Sequence, residues 1–265
     1  MSLVAPHQAR KRFGQNFLVD GNIIARIIAA VSPKQGDNLV EIGPGQGAIT
    51  GPLLEAAGAL NAVELDRDLA AMLSDRFAEH AGFQLHQGDA LAFDFATLAN
   101  SGPLRIVGNL PYNISTPLIF HLLNYAGHIK DMHFMLQREV VERMAAVPGS
   151  KTYGRLSVIV QYHCQVFDLF GVPPGAFRPV PKVDSAIVRL VPRREIQPLA
   201  SNKALFQTLV RTAFQQRRKT LRNALKQLPQ AADLNADAIS IDLGRRPETL
   251  SVAEFVTLSN ELDSQ

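Results

Sequence analysis

Residues 109 to 112 of this 265-residue chain read Asn-Leu-Pro-Tyr and follow directly on Ile106-Val107-Gly108, an apolar run that predicts a buried strand. The tetrapeptide combines a neutral amide, a residue without a backbone N–H and a flat aromatic face. That combination can act on an amine conjugated with an aromatic ring, which is a poor nucleophile because its lone pair is delocalised. Two acceptors set against its N–H bonds draw it towards tetrahedral geometry and localise the pair. The Asn109 side-chain oxygen supplies one acceptor. A main-chain carbonyl at Leu110 or Pro111 supplies the other, aimed by the fixed φ of Pro111. Tyr112 gives a base a surface to stack on, a contact worth about 1–3 kcal/mol. Taken alone, the four residues also fit an ordinary turn with Tyr112 packed on a core.

Three more strand ends carry chemistry. "EIGPGQG" (41–47) places Gly43, Gly45 and Gly47 where a ligand can approach backbone. "VELD" (63–66) places Glu64 21 residues after Gly43, where an acid can accept both hydroxyls of a ribose. "QGDA" (87–90) ends in Asp89-Ala90, and Asp89 can accept from an adenine amine. A lone Gly-rich turn serves dehydrogenases, flavin enzymes and methyltransferases alike, but four polar or glycine strand ends in register point to a nucleotide pocket. The dinucleotide pattern is G-x-G-x-x-G, and here the third glycine comes one place early. A ligand with ribose, adenine and an amino-acid tail but no phosphate fits better, namely S-adenosylmethionine (SAM). Its sulfonium methyl is already electrophilic, so alignment and electrostatics suffice and no strong general base is needed.

The elements that must position these groups alternate. Strands are predicted at 38–43, 60–65, 83–88, 104–109, 132–137, 156–163 and 185–191, with helices over "AITGPLLEAAG", "RDLAAMLSDRFAEH" and "STPLIFHLLNYAG" between the early ones. This order predicts an α/β fold, an open Rossmann-like sheet with helices on both faces, and the SAM pocket at its strand ends makes the expected sheet one of the SAM-dependent methyltransferase type. The last two strands are expected to form an antiparallel return. After residue 194 the pattern turns helical ("KALFQTLVRTAFQQ", "RKTLRNALKQL", "VAEFVTLSNEL"), so a catalytic domain is expected over 1–194 and a small all-α domain over 195–265.

The net charge is only +3, yet Lys182–Lys226 holds 11 Lys/Arg against Asp184 and Glu195, which suggests a polyanionic partner. One cysteine, Cys164, excludes an intramolecular disulfide and a Cys-based metal cluster, and the seven histidines show no metal-ligand spacing. No metal, no membrane span, a cytoplasmic location and a monomer are expected.

The motifs "KRFGQNFLVD" (11–20), "VEIGPGQGAIT" (40–50), "GNLPYNISTPLIFHLL" (108–123), "FRPVPKVDSAIVRL" (177–190) and "FQQRRKTLRNAL" (214–225) together resemble the ribosomal RNA adenine dimethyltransferases of the KsgA/RsmA type, relatives of the Erm resistance methylases. The resemblance implies SAM contacts from Asn16, Leu18, Gly43, Glu64, Asp89 and Asn109, and a base sandwiched between Tyr112 and Phe177. It implies dimethylation of two adjacent adenines in the 3′-terminal hairpin loop of 16S rRNA in the small ribosomal subunit. Arg217, Arg218, Lys219 and Arg222, expected within two helical turns, then become candidate phosphate contacts, with Arg10, Lys11 and Arg12 as a second basic patch. Three readings compete: an assembly factor acting mainly by binding the immature small subunit, an Erm-type methylase of large-subunit RNA, and a nicotinamide dehydrogenase. The early third glycine disfavours the last.

Overall fold

The computed structural model describes residues 16–228 and 238–264. Arg10, Lys11 and Arg12 lie outside the described residues. Among those described, seven strands form one sheet: β2 (Asn38–Ile42), β3 (Leu60–Glu64), β4 (Phe83–Gln87), β5 (Leu104–Asn109), β6 (Ile129–Gln137), β7 (Cys164–Val172) and β9 (Ser185–Pro192). Their spatial order is β4-β3-β2-β5-β6-β9-β7, and a separate ribbon pairs β1 (Phe17–Leu18) with β8 (Phe177–Arg178). Strands β2 to β6 run parallel, whereas β9 runs antiparallel to β6. The chain winds outward from β2 through β3 to β4, then crosses to β5 on the other side. The order therefore reverses between β2 and β5, and a ligand crevice opens outside their carboxyl ends. Gly108 sits at that junction opposite Ile42; a Cβ there would lie 2.7 Å from the Ile42 carbonyl oxygen, so only glycine lets the strands approach.

Helix α1 (Gly21–Val31) is an element that strand–helix alternation does not pick out. Asp20 caps it by accepting from the N–H groups of Asn22 and Ile23, and Ile23, Ile27 and Val31 form a buried i, i+4, i+8 stripe. Helices α2 (Thr50–Ala57), α3 (Arg67–Arg76) and α4 (Ser115–Leu123) fall where the sequence predicts them. Under the sheet, Arg105 of β5 pairs bidentately with Asp131 of β6 (2.9 and 3.0 Å). It also donates to Asp37 (2.6 Å) and to the Val31 carbonyl at the end of α1 (2.6 Å). Burial alone would raise the Asp131 carboxyl, but the hydrogen bonds and charge of Arg105 outweigh it and hold the group below its ordinary range.

The stretch expected as a strand at 156–163 is helix α6 (Arg155–His163). Its residues 156–160 and Tyr162 are all buried, and a short run that is apolar on every side fits a buried helix as well as a buried strand. The Ser157 hydroxyl accepts from the Gly154 N–H and donates to the Arg143 carbonyl, fixing the first turn. The strand lies just downstream, in β7, which neighbours β9 in the sheet as the expected return did; β9 also runs antiparallel to β6 on its other side.

The described residues form two compact units: those up to Val141 with Phe167–Pro192, and Glu142–Val166 with those from Arg193 onward. The division at Pro192–Arg193 falls two residues from the boundary expected at 194, while Glu142–Val166, expected in the catalytic part, groups with the C-terminal residues. Helix α5 (Arg138–Ala145) spans the first crossing. The second unit packs α6 with α7 (Lys203–Gln215), α8 (Leu221–Leu225) and α9 (Val252–Asp263). Tyr162 against Phe206, and Phe214 against both Tyr153 and Phe255, join these helices.

Candidate active site

The carboxyl ends of β2, β3, β4 and β5 open into one cleft. Ten residues singled out from the sequence line it: Asn16, Gly43, Gly45, Glu64, Asp89, Asn109, Leu110, Pro111, Tyr112 and Phe177. Leu18 lines an adjoining cavity that shares Gly43, Gly45 and Asn109 with the cleft.

The glycine turn after β2 is tied to the acid at the end of β3. The Gly45 N–H donates to Glu64 Oε2 (3.1 Å), and a Cβ on Gly45 would sit 3.2 Å from the Phe17 ring at a left-handed φ of 59°. Glu64 Oε1 accepts from the Asp66 N–H (2.9 Å). Burial raises the Glu64 carboxyl despite these bonds, with Asp66 pushing the same way. A carboxylate has about four acceptor positions, so Glu64 keeps lone pairs for a ribose diol. Asp89 is exposed, one oxygen accepting from the Leu91 N–H (2.9 Å) and the other remaining for a ligand. Arg76 of α3 donates to the Gln46 carbonyl (2.9 Å) and fastens the turn from outside.

Asn109 ends β5. Its Nδ2 donates to the Asn16 carbonyl (3.1 Å). A carbonyl can only accept, so this contact fixes the amide with the amino group towards Asn16 and leaves Oδ1 as the remaining acceptor. The Pro111 carbonyl already accepts from the Ile114 N–H (3.1 Å). Tyr112 is half-buried, its hydroxyl bonded to the Ser185 hydroxyl at 3.0 Å. Phe177 reaches the cleft wall through its pairing with Leu18, but it is only 1% exposed and packs in the main core. Glu64, Asp89 and the glycine turn thus line one cleft.

Glu41 was not among the residues expected to matter. It is 1% exposed on β2, accepts from the Thr50 hydroxyl (2.7 Å) and lines the adjoining cavity. Its place two residues before Gly43 was the available signal. Burial, aided by Glu64, pushes its carboxyl up to about 8, so it is neutral in the folded protein below that pH. A raised carboxyl contributes stability that is full below the unfolded value of 4.5 and is lost as pH rises through about 8. Thermal unfolding should therefore show Glu41→Gln gaining on the parent protein as pH rises from 5 to 9; a constant difference would mean that Glu41 is ionised throughout.

The basic segment differs from its expected form. Arg217, Arg218 and Lys219 lie in the turn after α7, and only Arg222 is on a helix, α8, so Arg218 and Arg222 do not share a helical i,i+4 relation. Thr220, with extended backbone, starts α8 afresh and breaks the run. Arg217 donates to the carbonyls of Ser150 and Lys151, while Arg218, Lys219 and Arg222 are exposed.

A sheet of this order, with a glycine turn on β2, an acid ending β3 and Asn-Leu-Pro-Tyr ending β5, defines a Rossmann-like methyltransferase. The profile described as "Ribosomal RNA adenine dimethylase" matches residues 6–264, and the chain belongs to that family. A protein of Chromohalobacter salexigens named Ribosomal RNA small subunit methyltransferase A is 59% identical over 261 residues, 97% of this chain and 92% of that one. One of the same name from Saccharophagus degradans is 60% identical over 257 residues, 97% and 95% of the two chains. Among solved structures, a dimethyladenosine transferase from Plasmodium falciparum superposes with a TM-score of 0.79 at 28% identity, covering 91% of this chain and 95% of that one. The 23S rRNA methyltransferase ErmE gives 0.69 at 25%, covering 94% and 100%.

Proposed function

We propose that this protein transfers methyl groups from SAM to the exocyclic amines of two adjacent adenines in the 3′-terminal hairpin loop of 16S rRNA, and so takes part in small-subunit biogenesis in the cytoplasm. The observation that carries the reading is the fixed amide of Asn109, whose oxygen is left as an acceptor at the end of β5 beside Tyr112. SAM, when bound, supplies an electrophilic methyl group. The chain does the rest. Glu64 and Asp89 hold the ribose and adenine, and the turn Gly43–Gly45 admits the remainder. Asn109 Oδ1 and the Leu110 carbonyl accept from the two N–H bonds of the target amine and localise its lone pair. Tyr112 holds the base flat, with Phe177 behind it in the buried wall of the cleft. Arg218, Lys219 and Arg222 meet RNA phosphates, whereas Arg217 mainly fastens its own unit. The 59–60% identity to small-subunit methyltransferases, against 25% to ErmE, favours the small subunit over large-subunit RNA.

The test supplies radiolabelled SAM to three acceptors: small subunits lacking the hairpin methylation, large-subunit RNA and duplex DNA. Dimethyladenosine is expected with the small subunits alone. Label in large-subunit RNA would move the protein to the Erm type. Tight small-subunit binding with no transfer to any acceptor would leave only an assembly factor.

A further inference from the structure

The loop 179–184 runs from β8, whose Phe177 lines the cleft, to Ser185, whose hydroxyl bonds that of the cleft residue Tyr112. Both ends are tied down: Phe17 and Leu18 pair with Arg178 and Phe177, and the Asp184 carbonyl accepts from the Arg138 N–H (2.9 Å). Between the ties, Pro179 and Pro181 fix two φ angles, and Pro181 is buried as an anchor. This held loop nonetheless turns its large apolar side chains outward: Val180 is 56% exposed and Val183 43%, with exposed Lys182 between them.

Single exposed valines are commonplace. A pair on a proline-braced loop, with a cation between them and on the segment that runs from Phe177 of the cleft to the Ser185 partner of Tyr112, has the chemistry of a surface for an unstacked nucleotide, which combines an apolar face with a phosphate. An enzyme that takes a base out of its stack also strips the neighbouring base of a partner. Resting on the reading that Tyr112 holds the target base, we propose that Val180 and Val183 form a ledge for the base adjoining the target in the same single-stranded RNA, with Lys182 on the intervening phosphate. For a substrate with two adjacent targets, the ledge holds the second adenine while the first occupies the pocket.

Two measurements on small subunits lacking the hairpin methylation test this. The double variant Val180→Ser/Val183→Ser should lower kcat/KM for the subunits about tenfold, the order expected for losing the apolar area that two half-exposed valines would bury, with SAM affinity by calorimetry and thermal unfolding unchanged. A photo-crosslinking residue in place of Val180 should stop reverse transcription at a nucleotide adjoining the target. Activity within about twofold of the parent, or crosslinks to ribosomal protein alone, overturns the ledge. Tyr112→Ala separates the two readings. If it is inactive while the double variant is normal, the ledge fails and the base pocket stands; if it is fully active, the pocket reading fails and the ledge with it.

Discussion

Replacing Asn109 with Ala should slow methyl transfer by about 10²–10³-fold, the usual cost of removing one fixed polar group from a reacting centre, with a much smaller change in SAM affinity. The loss belongs in single-turnover rates, because Oδ1 acts on the amine during transfer and the ribose and adenine are held elsewhere. Asn109→Asp is a sharper variant. It keeps an acceptor of the same size but sets a carboxylate oxygen where Nδ2 now donates to the Asn16 carbonyl. Two acceptors would then face each other at 3.1 Å, and the side chain would swing away or protonate. The Asn109→Asp enzyme is therefore expected to be slow as well, improving as pH falls. An Asn109→Ala protein at near-parental rate would remove the amide from the mechanism.

The largest effect on stability is expected at Arg105. Its side chain is 7% exposed and that of Asp131 1%, so Arg105→Leu leaves a buried carboxylate without its main partner. Breaking such a pair from one side costs about 3–5 kcal/mol. Arg189, 3.1 Å from Asp131 but itself 42% exposed, offsets only part. The deficit has a pH signature. In the parent, Asp131 is held below its ordinary value, and the stability this gives is present above 3.8 and lost as pH falls. Without Arg105 the buried carboxyl rises, so the variant is weakest near neutrality and approaches the parent towards pH 4. The chain has no tryptophan, so urea unfolding is best followed by far-ultraviolet circular dichroism. A deficit below about 1 kcal/mol at pH 7 would mean that the pair is effectively solvated.

The strand ends and the cleft residues could be read directly from the sequence because parallel strands buried on both faces give short apolar runs that stop abruptly at the ligand crevice. Gly43, Glu64 and Asn109 each stand at such a stop, whereas Asp89 follows the half-exposed edge strand β4. Residues 156–163 could not be read the same way: "LSVIVQYH" is apolar without period, and what makes it helix is Ser157 and the helices of its own unit. The ribbon of β1 and β8 was equally hidden, since two-residue strands carry no pattern and pair over a long sequence separation. Glu41 drew no reading from the sequence; only the burial seen in the fold makes it a neutral acid. Arg217 shows the opposite limit, because composition cannot tell a cation awaiting phosphate from one already bonded to the carbonyls of Ser150 and Lys151.

The chain crosses between its two units three times, at Val141–Glu142, Val166–Phe167 and Pro192–Arg193. A fragment cut at residue 194 would carry α6 with none of α7, leaving Tyr162 without Phe206 and Tyr153 without Phe214. The matching C-terminal fragment would begin with an open groove where α6 belongs. Chimaeras that exchange the helical unit between relatives must therefore transplant two separate segments, 142–166 and 193 onward, as one graft.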